Sequence, residues 1–407
     1  MKPNMVVMLT TDSNIDRRII QEADSLEFAG WKVNIIAMPK TSKLFSNDER
    51  IIRLPFYSAT EKNSVQLFLL YFYRWISKYL LFKPAVETLI RKIAWLTTDM
   101  EEFYLSVFRN VVDNYKPKVF VAHDLPTLPA AIYAAAKCNA KVVYDSHELY
   151  AEQQFSELEK RKWKQLEQKY IGHCNSIITV NNLIARELEQ RYNLHDKVYV
   201  ISNALPPKNR VHINSKIFHQ KFGLEDHAKV VLFQGGLSLN RNLEKLVESM
   251  AYVRNPLINL VILGDGPLKS LLQSITIKHN LSKKVYFHQV VTQEELLNYT
   301  SCADLGVIPY QATCLNNYYC TPNKLFEFIA AEIPILSAKL PSIENILNQF
   351  QIGLTANFTS PSRISHALDS LFENEQILKK YKSNLNKASK EIVWEDKKFT
   401  SIFEGYK

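Results

Sequence analysis

The residues best suited to chemistry lie in the stretch Thr321-Pro-Asn-Lys-Leu-Phe-Glu-Phe-Ile-Ala-Ala-Glu-Ile-Pro-Ile-Leu-Ser337. Thr321 suits a helix cap through its hydroxyl, and Pro322 suits the first helical position, where no amide hydrogen is wanted. A helix start offers free N–H groups and the positive end of a dipole, a combination that attracts phosphate. Lys324 falls in that first turn, and Glu327 follows three residues later on the same face. One helical turn rises about 5.4 Å, comparable to the step from a diphosphate to the ribose that carries it. The spacing therefore fits a cation for phosphate followed by a carboxylate for ribose hydroxyls. It also fits an ordinary amphipathic helix with solvated Lys and Glu.

Other groups could join this pair. Gln234-Gly235-Gly236-Leu-Ser-Leu-Asn-Arg241 separates a strand from a helix. Its glycines let a ligand approach the backbone, and Arg241 near the helix start suits phosphate oxygens. Gly264-Asp265-Gly266-Pro267 is a second tight turn after a strand, weak evidence by itself. In the first half, His123-Asp124 and Asp145-Ser146-His147-Glu148 each follow an apolar run. Strand ends are where open α/β sheets hold ligands, so two His–carboxylate clusters point to a site.

The elements that position these groups alternate strand and helix. Residues 5–10, 33–37, 118–123, 141–144, 176–180 and 198–201 read as buried parallel strands, followed by a linker at Ser202–Pro207. Residues 230–233, 259–263, 285–288, 304–308 and 333–337 repeat the pattern, with a long loop at 309–320. Thr292 and Glu295 form a capping box. The fold class is α/β, built from two Rossmann-like domains. Their expected bounds are 1–203, with a helical insertion at about 64–110, and 208–375. A helical segment at 376–407 is anchored by Trp394, Phe399 and Phe403. The fingerprint G-x-G-x-x-G is absent, which argues against a nicotinamide or flavin site.

At 407 residues the chain exceeds one typical core, and 46% hydrophobic with 22% charged residues is ordinary for a globular protein. A net charge of +9 favours an anionic partner. The basic residues are dispersed and carry no recognition motif, so nucleic acid is not expected. Five scattered cysteines without a CxxC pair point to free thiols in a reducing compartment and against zinc. The first residues lack a signal peptide's apolar core, and no run is long enough to span a membrane. Between Phe72 and Lys92, however, five basic residues face one acid within an aromatic-rich stretch. Arg74, Trp75, Lys78 and Lys83 would suit an anionic membrane surface. The alternative is a pair of helices packed on the sheet with cations snorkelling outward.

The ordered set of motifs resembles the GT-B glycosyltransferases, specifically the large retaining family four. Its markers are Asp16-Arg17-Arg18 with Glu22-Ala23, His123-Asp124, Tyr144-Asp-Ser-His-Glu-Leu149 and Ile178-Thr-Val180. They continue with Phe233-Gln-Gly-Gly-Leu237, Leu263-Gly-Asp-Gly-Pro267 and Pro322-Asn-Lys-Leu-Phe-Glu-Phe-Ile-Ala-Ala331. The resemblance implies two domains facing across a cleft, the donor nucleotide on the C-terminal one and the acceptor mostly on the N-terminal one. It makes Arg241 and Lys324 a diphosphate clamp and Glu327 the ribose ligand, with Gly235, Gly236, Gly266 and Asn323 completing the donor site. His123 would lie beside the transferred sugar and count with Arg241 and Lys324 as catalytic. Asp16, Arg17, Asp124, Asp145, His147 and Glu148 would line the acceptor side.

The implied activity moves a hexose from a UDP- or GDP-linked donor to a glycan or lipid-linked acceptor, with retention, in cell-surface polysaccharide or glycolipid synthesis. No cofactor or metal is expected beyond the nucleotide-sugar, since no Asp-x-Asp appears. The expected location is cytoplasmic, or peripheral on the inner face of the membrane. Two departures stand out. Tyr319 occupies the place of the family's first glutamate, and Gly236 replaces the arginine of the usual Gly-Arg-Leu. A catalytically inactive binding scaffold and a sugar-nucleotide epimerase are the rival readings.

Overall fold

The computed structural model describes residues 4–39, 48–55, 99–194, 196–207 and 216–407. The basic aromatic stretch with Arg74, Trp75, Lys78 and Lys83 lies outside the described residues. The chain divides into two compact units. One comprises Met1–Thr179, Ala185–Val200 and Asp396–Lys407; the other comprises Val180–Ile184 and Ile201–Glu395.

The first unit is built on β1 (Met5–Thr10), β2 (Lys32–Ala37), β3 (Ile51–Arg53), β4 (Val119–His123), β5 (Lys141–Ser146), β6 (Ser176–Thr179) and β7 (Val198–Val200). They form a parallel sheet in the order β3-β2-β1-β4-β5-β6-β7. The runs Val6–Leu9 and Val119–Ala122 are fully buried, as strands covered on both faces must be. The order reverses between β1 and β4, and a switch point of this kind opens a crevice beyond the strands' carboxyl ends. His123 ends β4 there, in register with Asp145 on β5. The short strand Ile51–Arg53 was not foreseen, because three residues carry too little pattern.

The second unit is built on β8 (Lys229–Gln234), β9 (Ile258–Leu263), β10 (Val285–His288), β11 (Leu305–Ile308), β12 (Ile335–Ala338) and β13 (Gly353–Ala356). The order is β10-β9-β8-β11-β12-β13, again parallel, with its reversal between β8 and β11. The helix Asn323–Ala330 crosses β11 at Gly306, where a Cβ would come within 2.5 Å of the Phe328 ring. Only a glycine lets this helix lie so close to the sheet.

Two expectations need correction. Pro322, not Thr321, is the residue flanking the Asn323–Ala330 helix, and no side chain caps it. The Thr321 hydroxyl instead accepts from Asn181 Nδ2 at 3.2 Å. The loop expected at 309–320 contains a helix, Leu315–Tyr319, capped by Cys314 Sγ accepting from the Asn317 amide. The C-terminal segment is helical as expected, in two helices, Glu375–Glu391 and Asp396–Glu404.

The first of these buries Tyr381, Leu385 and Ala388 in the second unit's core. The second returns to the first unit. There Ser25 Oγ donates to Asp396 Oδ1 at 2.7 Å, Phe403 meets Trp31 edge-on, and Tyr406 Oη lies 2.7 Å from Ser176 Oγ.

Candidate active site

In the second unit, two loops at strand ends are stitched together around glycines. The Leu237 amide donates to Asp265 O at 2.9 Å, and the Leu268 amide donates to Leu237 O at 3.0 Å. Gly264 (φ +157°) and Gly266 (φ +154°) take backbone angles that side chains rarely adopt. Gly235 (φ +112°) leaves its Cβ position 3.5 Å from Lys324 Nζ, so the lysine head lies against open backbone.

Lys324 itself is 6% exposed, and its Nζ has no hydrogen-bond partner among the described residues. It lies 3.8 Å from the Phe233 ring centroid and 4.7 Å from that of Tyr310. Arg241 Cζ lies 3.9 Å from the Tyr310 centroid. Burial pushes the Lys324 ammonium well below its usual range and the Arg241 charge pushes it further, with Glu327 only partly opposing them. A buried cation beside another cation, resting on aromatic faces, is the electrostatic complement of an anion.

Glu327, one turn along, is buried and accepts from Gln234 Nε2 at 2.5 Å. Gln234 Oε1 accepts in turn from Thr300 Oγ1 at 2.8 Å, which fixes the amide's orientation. Asn323 and Gly266 are partly exposed, and Gly235 and Gly236 exposed, so this backbone is open to a ligand. The Tyr319 ring lies tilted by 36° against Tyr318 with ring centroids 5.4 Å apart. Its carbonyl accepts from Asn181 Nδ2 at 2.9 Å and from Ser342 Oγ at 2.7 Å, so the backbone of this segment is pinned.

In the first unit, a second cluster forms around Asp145. Arg18 Nε and Nη2 donate to Asp145 Oδ2 and Oδ1, both at 3.0 Å. His147 Nε2 lies 2.8 Å and His123 Nδ1 3.2 Å from the same Oδ2. Burial alone would raise the Asp145 carboxyl, but Arg18 and His147 outweigh it and hold it well below the carboxylate range. An ionised carboxylate only accepts, so His123 Nδ1 carries the hydrogen. His123 is lowered by burial and stays neutral, leaving Nε2 an acceptor, buried and without a partner among the described residues.

Burial would lower His147, yet Asp145 and then Asp124 raise it to about 10. Asp124 is raised to about 7, by burial first, with His147 opposing and Glu148 and Asp12 adding. It also sits at φ 62°, uncommon outside glycine. Beneath the cluster, Glu22 is fully buried 3.0 Å from Arg18 Nε. Burial and the neighbouring Asp145 charge push it well up, so it is held as the neutral acid.

The structure thus brings His123, Asp124, Asp145 and His147 together. Asp16 is engaged as the cap of the Arg17–Phe28 helix through the Arg18 amide, and Arg17 Nη1 donates to Gln21 Oε1 at 3.3 Å. Glu148 accepts from Gln153 Nε2. His123, Asp145 and His147 place ligand atoms within 4.8 Å of one another, a donor set a metal could use. Both Asp145 oxygens are already bonded to Arg18, however, so the cation there is a guanidinium. Arg18, Gln234 and Tyr310 were not assigned site roles from sequence. The signal for Arg18 was its opposite charge to Glu22 one turn on, along an otherwise apolar face.

Residues 214–391 match the family model described as glycosyl transferases group 1, and residues 99–209 that described as glycosyltransferase family 4. The chain is 22% identical over 263 residues to the chitobiosyldiphosphodolichol beta-mannosyltransferase of Candida albicans, covering 60% of this chain and 56% of that protein. The chain spans about half the length of the curated relatives it matches. Among solved structures, it superposes on sucrose-phosphate synthase from Thermosynechococcus elongatus with a TM-score of 0.72 at 14% identity, over 99% of this chain and 98% of that one. Anabaena HepE in complex with UDP and glucose gives a TM-score of 0.69 at 13% identity, over 98% and 97%. At such identity these structures establish a shared two-unit fold.

Proposed function

Because the chain belongs to the group 1 glycosyltransferases of the GT-B fold, we propose that it transfers a hexose from a UDP- or GDP-linked donor to a glycan or lipid-linked acceptor, with retention of configuration. The observation that carries this reading is Lys324: a buried cation in the first turn of the Asn323–Ala330 helix, beside Arg241, with no hydrogen-bond partner among the described residues. A nucleotide diphosphate would fill that position. Its charge would be met by Lys324, Arg241 and the helix N–H groups, and Glu327 would receive the ribose hydroxyls.

Cleaving the anomeric carbon–oxygen bond leaves the electron pair on the diphosphate. Preorganised cations aimed at that charge supply the main stabilisation. The acceptor oxygen would attack from the same face and pass its proton to the departing phosphate. His123 Nε2, a neutral acceptor, suits a hydroxyl of the transferred sugar, while Asp124 and His147 suit the acceptor. This chemistry routes no step through a metal, and transfer is proposed to persist in chelator.

A UDP–glucose-related complex in one structural neighbour and a lipid-linked acceptor in the name of one relative support these classes. For the acceptor, we place a lipid-linked glycan first, with Arg74, Trp75, Lys78 and Lys83 on an anionic surface. Among the described residues no helix is long and apolar enough to cross a membrane. Reversing Arg74, Lys78 and Lys83 to Glu should abolish binding to anionic liposomes and spare nucleotide affinity.

The deciding experiment is thermal shift against nucleotides and nucleotide sugars in chelator, followed by NMR of the product's anomeric configuration. A ligand at a hundredfold excess over its Kd stabilises by about 2.7 kcal/mol. A shift with one sugar nucleotide and transfer with retention are expected. Binding without turnover would favour the inactive scaffold, consistent with Tyr319 in the first glutamate's place. Turnover of the donor into an isomeric sugar nucleotide would favour the epimerase.

A further inference from the structure

The two cations of the proposed clamp repel each other, so something must hold them side by side before any ligand arrives. Tyr310 lies under both, with Arg241 Cζ at 3.9 Å and Lys324 Nζ at 4.7 Å from its ring centroid. The ring is buried at 5% exposure. The next residue grips the backbone of the same arginine. The Gln311 amide donates to Asn240 O at 3.2 Å, and Gln311 Nε2 donates to Asn242 Oδ1 at 2.8 Å. Asn242 Nδ2 is anchored further to Phe358 O at 2.9 Å. Asn240 (φ 65°) and Asn242 (φ 58°) flank Arg241 in left-handed conformations, which asparagine tolerates better than most side chains.

We infer that Tyr310 and Gln311 are positioning residues that preset Arg241 beside Lys324, so that the site discriminates a nucleoside diphosphate from a monophosphate. Neither residue needs to touch the ligand. Tyr310 acts through its π-face on both cations, and Gln311 through the two asparagines that fix the arginine's backbone. The inference rests on the diphosphate reading above. It adds that the second phosphate is recognised only because an aromatic ring keeps two like charges paired.

Calorimetric affinities for UDP and UMP, and for GDP and GMP, test this in the full chain, with thermal melts of each variant. The parent should prefer its diphosphate. Tyr310→Leu should lose about tenfold of that preference, the scale of a desolvated cation–π contact, with monophosphate affinity unchanged. Tyr310→Phe keeps the ring and should keep most of the preference. Gln311→Leu, at a partly exposed position, should reduce the preference in the same direction and decides the matter if Tyr310→Leu does not fold. Parental diphosphate-to-monophosphate ratios in folded Tyr310→Leu, or in Gln311→Leu should Tyr310→Leu not fold, overturn the inference. A parent that binds the two nucleotides equally instead overturns the diphosphate reading itself.

Discussion

Arg18 and Asp145, 127 residues apart in sequence, form a two-pronged ion pair with both bonds at 3.0 Å and both side chains at most 2% exposed. The pair ties the first helix of the N-terminal unit to the end of β5, and the Asp145 oxygen it fixes is the one on which both His123 and His147 converge. Replacing Arg18 by Met would leave the buried Asp145 carboxylate with His147 but without its two-pronged partner, at a cost of about 3–5 kcal/mol. Arg18→Lys restores the charge but cannot reproduce two parallel bonds, so it should fall between parent and Met in urea unfolding. Its transfer rate should also drop while nucleotide affinity, proposed above to belong to the other unit, stays level. Equal stability of all three proteins would show the pair to be dispensable.

His147 gives the first unit a pH signature. Its imidazolium is held by Asp145 and Asp124, with a folded pKa of about 10 against roughly 6.5 when unfolded. The group is raised on folding, so its stabilisation is complete below the unfolded value and is lost as pH rises to the folded one. Unfolding free energy should therefore decline between about pH 6.5 and 10. In His147→Gln that slope should flatten. A parental slope in the variant would assign the titration elsewhere.

Lys324 predicts a conflict between stability and binding. Its buried amine has no partner among the described residues, so Lys324→Met should raise thermal stability, by about 1–3 kcal/mol for removal of an unsatisfied buried group. The same change should abolish diphosphate binding. Proton linkage provides an independent check. The free amine's pKa is depressed, and a bound diphosphate would raise it, so binding takes up a proton between the two values. Affinity should then fall as pH rises through that window, and calorimetry in buffers of different ionisation enthalpy should register uptake that vanishes in Lys324→Met. Destabilised Lys324→Met with intact nucleotide binding would reverse the assignment.

Much of this was legible in the chain. Apolar runs such as Val230–Phe233 and Val119–Ala122 announce buried parallel strands, and Pro322 ahead of Lys324 and Glu327 announces the start of a helix, because local patterning acts over a few residues. Arg18, Gln234 and Tyr310 were harder to read because each is defined by a partner distant in sequence: Asp145, Glu327 with Thr300, and the pair Arg241–Lys324. Thr321 shows the same limit from the other side. Its sequence context asks for a helix cap, and a tertiary bond from Asn181 takes the hydroxyl instead.

Gly264 tests whether the stitched loops, rather than the cations alone, make the second site. At φ +157° its position is strained for any side chain, and a Cβ would lie 2.0 Å from Gly235 O. That oxygen belongs to backbone flanked by the Gly235 amide bond to Leu263 O, so it cannot swing aside as a flexible side chain would. Gly264→Ala should therefore move Gly235, against which Lys324 Nζ rests, and cost about 2–4 kcal/mol by overpacking and backbone strain together. Gly172→Ala is the control, because its added methyl group meets nothing within 4 Å. Denaturant midpoints and UDP or GDP affinity should both fall in Gly264→Ala and stay at parental values in Gly172→Ala. A Gly264→Ala protein with parental stability and affinity would show that the two loops can part without consequence, and that the close approach of Gly264 to Gly235 plays no role in holding the proposed phosphate site.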